Sequence, residues 1–361
     1  MSAGTPATST ASPLRRQLRW RRKQMHDLIV NEAFIDLHRS RARALYVASW
    51  QRSGSTWLAQ IVASMPRTRL VFEPANIRQH LTTYGHQPRL NTFPLSGPGS
   101  ELGEDGVMLS RALDGSLRSL WMDQMNQTRA AVRRVVKDVR TIAILPWIVD
   151  AFPEVPTVLL LRHPVAVAHS IIELGWVGGP GYAAAAGLPV PDPSAGEAGR
   201  ARTSSDRSGP ERGVVDHAAR QQMLIYEVSL WAAHHGWAMA HPASARIHVI
   251  FYEDLVQQPT AEIERLQRYL AAFDPVWTSW LPELESLRQP SATSYRREAG
   301  TPVEWIDSWS GSYDVATLDQ VQRILDAEHL GSLYGASPMP LIDGESAIAS
   351  VGGSQGSPAR S

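Results

Sequence analysis

The sequence predicts an α/β fold, a three-layer αβα arrangement in which helices cover both faces of a central parallel sheet. Apolar runs of five to eight residues alternate along the chain with longer segments that carry apolar residues at helical spacing. Runs this short are typical of buried strands, and the segments between them can supply the crossover helices that parallel strands require. Ligands of such folds bind at the carboxyl ends of the strands.

Five runs are the predicted strands, at residues 45–49, 69–73, 133–138, 155–162 and 246–252. The run VPTVLLLR at 155–162 gives the strongest strand signal because it is apolar over almost its whole length. Helical patterns occupy residues 55–64, 141–151, 164–174, 215–240 and 260–271. Together these elements predict one large domain over residues 44–336.

Segments of different composition flank and interrupt this domain. Residues 1–13 and 337–361 are rich in small and polar residues, and we expect both to be disordered. Residues 14–43 are rich in arginine and predict a basic helical lead-in, for which a solvated face is the simplest interpretation and weak contact with a membrane surface the alternative. The Gly, Pro and Ala content of residues 177–213 predicts a mobile insertion.

The composition argues against several classes of protein. The chain has 361 residues with 35 basic and 35 acidic side chains, so a wholly basic nucleic-acid binder is disfavoured. It has no cysteine, which excludes disulfides, thiolate nucleophiles and Cys-ligated metal sites and favours a reducing compartment. We see no secretory signal and no apolar stretch long enough to span a bilayer. These observations predict a cytoplasmic protein without a metal site.

The first motif is ASWQRSGSTW at residues 48–57, between the first predicted strand and a helix. A strand, a tight glycine loop and a helix start form the architecture of a phosphate-binding loop, whose backbone N–H groups cradle an anion. Ser55 replaces the lysine that normally follows the glycine, and Arg52 stands two residues before Gly54. The motif predicts an anion site poorly suited to a magnesium–nucleoside triphosphate. For the loop alone, an ordinary turn with a Ser/Thr helix cap is the alternative.

The second motif is LLLRHPVAVAHS, which places Arg162 at a strand end and Pro164 at a helix start. Ser170 follows eight residues after the arginine, about two helical turns further along. The guanidinium and the hydroxyl could grip one phosphate from two sides. For this motif alone, a surface arginine and a helix-interior serine are the alternative.

Taken together, the two motifs resemble the signature elements of the sulfotransferase family. That family has a P-loop-like fold and transfers a sulfuryl group from 3′-phosphoadenosine-5′-phosphosulfate (PAPS) to a hydroxyl. The segments VVKDVR and FYEDLVQQPTAEIERLQRYL also resemble family segments, in family order. The resemblance covers roughly residues 44–310 apart from the insertion.

The resemblance implies roles for the residues of both motifs. Arg52 would bind the sulfuryl end of the donor and neutralise charge on the bridging oxygen, and an arginine here resembles the carbohydrate-type members. Arg162 and Ser170 would hold the 3′-phosphate, which ATP lacks. The implied donors to the 5′-phosphate are Ser53, Gly54, Ser55 and Thr56.

Further contacts follow from the same resemblance. Trp57 would stack on the adenine, with a core tryptophan as the alternative, and Tyr252 would contact the adenine edge. The implied third contact to the 3′-phosphate consists of Arg296 and Arg297. His163 stands where the family commonly has Asp or Asn, and we expect it to weaken the helix cap.

The general base is where this chain departs from the aryl-type members, which carry a histidine after the third strand. Val139 occupies that position, after Lys137 and Asp138. Glu73, followed by Pro74, resembles the glutamate base of several carbohydrate-sulfating members, and we expect its pKa to be raised toward neutrality by partial burial near bound anions. For Glu73 itself, a solvated strand-end glutamate or an ion pair with a nearby arginine is the alternative. Asp138 is the alternative base, and Lys137 would contact the transferring sulfuryl group.

These inferences predict a PAPS-dependent sulfotransferase that needs no metal. Its acceptor would be a small molecule or carbohydrate, with a sugar or alkyl hydroxyl favoured over a phenol. A small-molecule kinase on the P-loop fold is one alternative, although its lysine is missing. A catalytically silent nucleotide-binding protein is the other, since it would keep both anion sites without the base.

Overall fold

The computed structural model describes residues 35–76, 95, 102–126, 128–175, 183, 187–188, 217–277 and 305–352. Its central sheet has five strands: β1 (Ala44–Ser49), β2 (Thr68–Phe72), β3 (Arg133–Asp138), β4 (Thr157–Leu161) and β5 (His248–Phe251). Their spatial order is β2-β3-β1-β4-β5, and every neighbouring pair is parallel. All five lie within two residues of the predicted bounds, so the strand predictions are confirmed.

Each face of the sheet contributes to its own core. Leu45 and Val47 of β1 point to one face, and Tyr46 and Ala48 point to the other, as the two-residue period of a strand requires. All strand residues are buried except the half-buried His248. Burial on both faces explains why the strands are nearly continuous apolar runs rather than alternating ones.

Helices cover both faces of the sheet and produce the predicted three layers. One face packs against α1 (Ser55–Ala63), α6 (Tyr252–Gln257) and α7 (Pro259–Ala271). The other face packs against α2 (Gly103–Asp114), α3 (Leu145–Ala151), α4 (Pro164–Glu173), α5 (His217–Ala240), α8 (Val315–Ala327) and α9 (Ala347–Gly352). Among the described residues, no helix has the length and apolar character needed to cross a membrane.

Two predictions about the flanking segments are wrong where the structure describes them. The helical lead-in does not reach residue 43, because Ile35–Asp36 pairs with Ala130–Ala131 as a short parallel ladder and a 3-10 turn follows at Arg41–Arg43. The Asp36 carboxylate accepts hydrogen bonds from the buried Arg134 guanidinium at 2.9 and 3.0 Å, which holds this segment in an extended form. Residues 1–34 lie outside the described residues.

Residues 337–352 are folded, although we predicted disorder from residue 337. Ala347 and Val351 lie one turn apart on α9 and are fully buried against the core that contains α5. The Leu341 N–H donates to the Leu333 carbonyl at 2.9 Å and fixes the segment before that helix. Its Gly and Ser content hid this apolar pair. The insertion at 177–213 lies outside the described residues except for residues 183, 187 and 188.

The sheet order creates a crevice between β1 and β4. The chain leaves β1 through α1 toward β2, on one side, and leaves β4 toward β5, on the other. Connections that diverge from neighbouring strands in this way leave a cleft at the carboxyl edge, which is where ligands of open α/β sheets bind. Both sequence motifs follow these two strands.

Candidate active site

The loop after β1 approaches the aromatic ring of Tyr252 closely. Gly54 has a φ of 90°, and a Cβ built on it would lie 2.6 Å from the Tyr252 ring. Arg52 also has a left-handed backbone, with a φ of 68°, a conformation that is strained for a residue with a side chain. The tight loop ends at the start of α1, whose first N–H groups have no acceptor within the helix and favour an anion.

Hydrogen bonds join the two sequence motifs directly. The Arg52 Nε donates to the Ser170 Oγ at 3.1 Å, and the Arg162 Nη1 donates to the Arg52 carbonyl at 2.9 Å. Arg162 Nη2 donates to the carbonyl of Trp305 at 3.0 Å. Carbonyl and hydroxyl oxygens carry no net charge, so none of these bonds neutralises either guanidinium. Both guanidinium groups lie at the crevice, and a guanidinium can hold a phosphate through charge-assisted hydrogen bonds.

Buried polar atoms at this crevice fit an anionic ligand. The Ser53 Oγ and the Arg162 Nε are buried, and neither has a hydrogen-bond partner among the residues that the structure describes. Burying a hydrogen-bond donor without a partner destabilises the folded protein by about 1–3 kcal/mol. Such atoms are rare in native structures, and a missing ligand is one explanation for them. Phosphate oxygens of a bound nucleotide would satisfy both. Ser55 and Thr56 are also buried, at the first turn of α1.

Two aromatic residues lie next to the loop. The Trp57 ring meets the Tyr252 ring edge-on, with centroids 5.9 Å apart, and the Arg162 guanidinium lies 4.6 Å from the centroid of the Tyr252 ring. Trp57 is only 6% exposed and packs in the core beside α1. Tyr252 is therefore in contact with both motifs, as its position at the end of β5 allows.

Glu73 lies at the end of β2, beside the end of β3. The Lys137 Nζ donates to Glu73 Oε1 at 2.6 Å, and the Arg140 Nη1 and the Asn76 Nδ2 each donate to Oε2 at 3.1 Å. The backbone of Glu73 is left-handed, with a φ of 43°. Its carbonyl accepts a hydrogen bond from the Trp121 indole at 3.3 Å. The carboxylate is thus held by two cations and one amide.

The expectation of a raised pKa for Glu73 is wrong. Burial raises the pKa, but the charges of Lys137 and Arg140 outweigh burial, and the net effect lowers the pKa to about 2. The sequence predicted the burial and left open an ion pair with a nearby arginine, but it did not show that Lys137 and Arg140 would both lie within hydrogen-bonding distance. Glu73 is therefore ionised at neutral pH, as a base must be, but it has little affinity for a proton in this arrangement.

Asp138 is occupied by backbone hydrogen bonds. Its Oδ2 accepts from the Ala75 N–H at 2.7 Å, and its Oδ1 accepts from the Arg140 N–H at 2.8 Å. The side chain is fully buried, and burial raises its pKa. These bonds connect the end of β3, which carries Lys137, with the segment after β2, which begins at Glu73. The geometry therefore gives Asp138 a structural role.

His163 caps α4, in the position where the resemblance implies Asp or Asn. Its Nδ1 accepts a hydrogen bond from the Val165 N–H at 3.3 Å, and its Nε2 lies 3.1 Å from the Gly335 carbonyl. An Nδ1 that accepts and an Nε2 that donates define a neutral imidazole. Burial lowers the pKa of His163 to about 4, which keeps the ring neutral.

A comparison with protein families supports the interpretation of these motifs. Residues 44–185 match the family model described as "Sulfotransferase family". This match shows that residues 44–185 are similar to that family. A search of curated protein sequences found no match.

Solved structures similar to this chain have low sequence identity. Mouse sulfotransferase SULT7A1, complexed with PAP, is 14% identical over 83% of this chain and 87% of its own, with a TM-score of 0.40. A sulfotransferase from Alicyclobacillus acidocaldarius is 14% identical over 80% and 93%, with a TM-score of 0.36. Retinol dehydratase, in complex with androsterone and inactive cofactor PAP, is 15% identical over 85% of each chain, with a TM-score of 0.35.

The structure gathers most of the predicted site residues at one edge of the sheet. Arg296 and Arg297 lie outside the described residues. Sequence reasoning missed Arg140 and Asn76 as partners of Glu73. Arg140 stands only three residues after Lys137, so its place just beyond the end of β3 was a usable signal.

Proposed function

We propose that this protein is a sulfotransferase that moves a sulfuryl group from PAPS to a hydroxyl of a small-molecule or carbohydrate acceptor. The observation that carries the proposal is the hydrogen bond from Arg52 to Ser170, together with the bond from Arg162 to the Arg52 carbonyl. These bonds join the phosphate loop to a second cationic site, and a donor with both a 5′-phosphosulfate and a 3′-phosphate needs two such sites. A nucleoside triphosphate needs only the first.

In the proposed complex, the start of α1 holds the 5′-phosphosulfate. Its contacts are the N–H and hydroxyl groups of Ser53, Gly54, Ser55 and Thr56. Arg162 and Ser170 hold the 3′-phosphate, joined by Arg296 and Arg297. Trp57 and Tyr252 bind the adenine. The Arg52 side chain reaches Ser170 in the structure. We therefore propose that Arg52 can bind either the 3′-phosphate or the sulfuryl end of the donor.

The proposed transfer is an in-line displacement. The acceptor oxygen forms a bond to sulfur, the bond between sulfur and the bridging oxygen breaks, and adenosine 3′,5′-bisphosphate leaves. Glu73 takes the acceptor proton, while Lys137 and Arg52 stabilise the negative charge of the sulfuryl group and the leaving phosphate. A sugar or alkyl hydroxyl remains the favoured acceptor, since these residues resemble the carbohydrate-type members.

The lowered pKa of Glu73 makes Lys137 part of this proposal. The Lys137 Nζ lies 2.6 Å from the carboxylate, and a sulfuryl group bound beside it would share that ammonium. Sharing weakens the ion pair, so the pKa of Glu73 rises when the donor is bound. The base would then gain proton affinity only when a sulfuryl group is present to be transferred.

The test is to incubate the protein with PAPS or with ATP and a panel of hydroxyl acceptors, and to measure release of the bisphosphate or of ADP. We expect acceptor-dependent bisphosphate release. We expect Glu73→Gln to reduce it by about 100-fold or more, in the range typical of a lost general base.

Glu154→Gln is the matched control, because Glu154 also pairs with an arginine, Arg41 at 2.8 Å, far from the site in sequence. Near-wild-type transfer by Glu73→Gln would reject the base, and ADP release alone would favour the kinase alternative. Binding without release of either product would favour a silent nucleotide-binding protein.

A further inference from the structure

A fully buried carboxyl lies behind the predicted 3′-phosphate site. Glu253 is the second residue of α6 and is 0% exposed. Its Oε1 accepts a hydrogen bond from the backbone N–H of His163 at 2.9 Å, and its Oε2 accepts one from the Tyr334 hydroxyl at 3.0 Å. Both donors are uncharged, and burial raises the pKa of Glu253 to about 7. A buried carboxyl on neutral donors is costly, and such groups concentrate at functional sites.

The two donors come from distant parts of the chain. His163 is 90 residues from Glu253 in sequence, and Tyr334 is 81 residues away. The carboxyl therefore joins three pieces: the start of α4, the start of α6, and the C-terminal segment, by which we mean residues 305–335. Each piece carries a group that contacts the predicted donor site.

Those groups are direct neighbours of the network. Arg162 precedes His163, and Tyr252 precedes Glu253. In the C-terminal segment, the Trp305 carbonyl accepts from Arg162 Nη2 at 3.0 Å. Arg162 directly precedes the start of α4, its Nη2 bond reaches the C-terminal segment, and its guanidinium lies 4.6 Å from the centroid of the Tyr252 ring at the start of α6. A shift of any of the three pieces would therefore disturb the Arg162 guanidinium.

Further contacts fix the C-terminal segment against the start of α4. The His163 Nε2 donates to the Gly335 carbonyl at 3.1 Å. The His163 ring stacks on the Trp309 ring, with centroids 4.8 Å apart and planes inclined by 20°. Tyr334 is fully buried, and its ring meets Phe251 at the end of β5, with centroids 5.4 Å apart. The segment is thus packed as well as hydrogen-bonded.

We propose that Glu253, with Tyr334, is a positioning pair that fixes Arg162 for the 3′-phosphate of the donor. The proposal rests on the proposed function. Its physical basis is preorganisation, because a guanidinium whose plane is set before binding loses less freedom when the phosphate arrives. Glu253 touches neither the donor nor the acceptor in this account. It acts through the backbone of His163 and through the C-terminal segment.

The experiment measures binding of two nucleotides by isothermal titration calorimetry. Adenosine 3′,5′-bisphosphate carries the 3′-phosphate, and adenosine 5′-phosphate lacks it. We expect Tyr334→Phe and Glu253→Gln each to weaken bisphosphate binding by about 5- to 30-fold, which corresponds to about 1–2 kcal/mol. Binding of adenosine 5′-phosphate should change by less than about twofold.

Tyr313→Phe is the matched control. Tyr313 lies in the same segment, is buried, and makes a hydrogen bond with His169 at 3.1 Å rather than with Glu253. We expect this variant to bind both nucleotides like the wild type. Thermal denaturation reports whether each variant is folded, and Tyr334→Phe provides the answer if Glu253→Gln does not fold.

Three outcomes contradict the proposal in different ways. Unchanged bisphosphate affinity in folded Tyr334→Phe overturns the positioning role. An equal loss of affinity for both nucleotides also overturns it, because it indicates a general loosening of the site. If the wild type itself binds the two nucleotides equally, the proposed donor function fails, and this result is visible before any variant is made.

Discussion

The closest contact in the candidate site can be tested by adding one methyl group, with Gly54→Ala. The new Cβ would lie 2.6 Å from Tyr252 Cδ2 and 2.7 Å from Cε2. Ordinary contacts begin near 3.4 Å, so the ring must move by about 0.8 Å, at an overpacking cost of about 1–3 kcal/mol. The left-handed backbone adds about 1–2 kcal/mol. We expect a total loss of about 2–5 kcal/mol in the free energy of unfolding.

Gly175→Ala is the matched control for backbone strain. Gly175 has a φ of 65°, and no atom of the described residues lies within 4 Å of a Cβ built there. It should lose only the conformational part, about 1–2 kcal/mol. Urea denaturation measures both variants, and the difference between them isolates the contact with Tyr252.

The same displacement should reach the donor site. The Arg162 guanidinium lies 4.6 Å from the centroid of the Tyr252 ring, so a moved ring moves or frees the cation. We expect Gly54→Ala to weaken bisphosphate binding about tenfold, a change of about 1.4 kcal/mol, and Gly175→Ala to leave it unchanged. A double variant with Tyr252→Ala should recover part of the lost stability, because the two changes interact. If Gly54→Ala costs no more than Gly175→Ala, the reasoning about this contact is refuted.

Three further predictions concern the charged and titrating groups. Ser170→Ala removes the acceptor of the Arg52 Nε. It should weaken bisphosphate binding by about fivefold and have little effect on the binding of adenosine 5′-phosphate. Equal losses of affinity for the two nucleotides in calorimetry would contradict this prediction. Between pH 6.5 and about 4, His163 binds a proton in the unfolded chain but not in the folded protein, so the free energy of unfolding falls as the pH falls. His163→Asn should reduce the slope of the free energy of unfolding against pH by up to about 1.4 kcal/mol per pH unit, measured by urea denaturation. An unchanged slope argues against the lowered pKa. Because the pKa of Glu73 is lowered from 4.5 to about 2, its contribution to stability is present above pH 4.5 and is lost as the pH falls toward 2. Glu73→Gln should therefore destabilise the protein by up to about 3 kcal/mol at pH 7 and by less at pH 4 and pH 3. A destabilisation that stays constant with pH would exclude the ion pair of Glu73 as its cause.

The sequence predicted the five strands because each is buried on both faces and reads as an apolar run. It missed α2, whose glycines at 103 and 106 weaken the helical signal. It also missed α8, although Leu318, Val321 and Leu325 follow helical spacing in that segment. That helix was detectable, whereas α2 depends on tertiary packing for its stability.

The sequence likewise predicted some features of the candidate site and missed others. The motifs located Arg52 and Arg162, which come just after strand ends, and Ser170, which lies in the helix after β4. They did not predict that the Arg52 side chain would reach Ser170, which is 118 residues away. The sequence also placed Glu73 and Lys137 at the ends of successive strands. Only the spatial order makes those strands neighbours, and that adjacency reverses the expected direction of the pKa shift of Glu73.

The bond from Arg162 to the Arg52 carbonyl, across 110 residues of sequence, has a consequence for protein engineering. The left-handed backbone of the first loop is held from outside by a residue that the loop does not contain. Transplanting residues 48–57 into another α/β scaffold would therefore leave Arg52 free to relax to an ordinary conformation. The transferable unit is the pair of strand ends β1 and β4 together with both loops, and variation in one loop is constrained by the other.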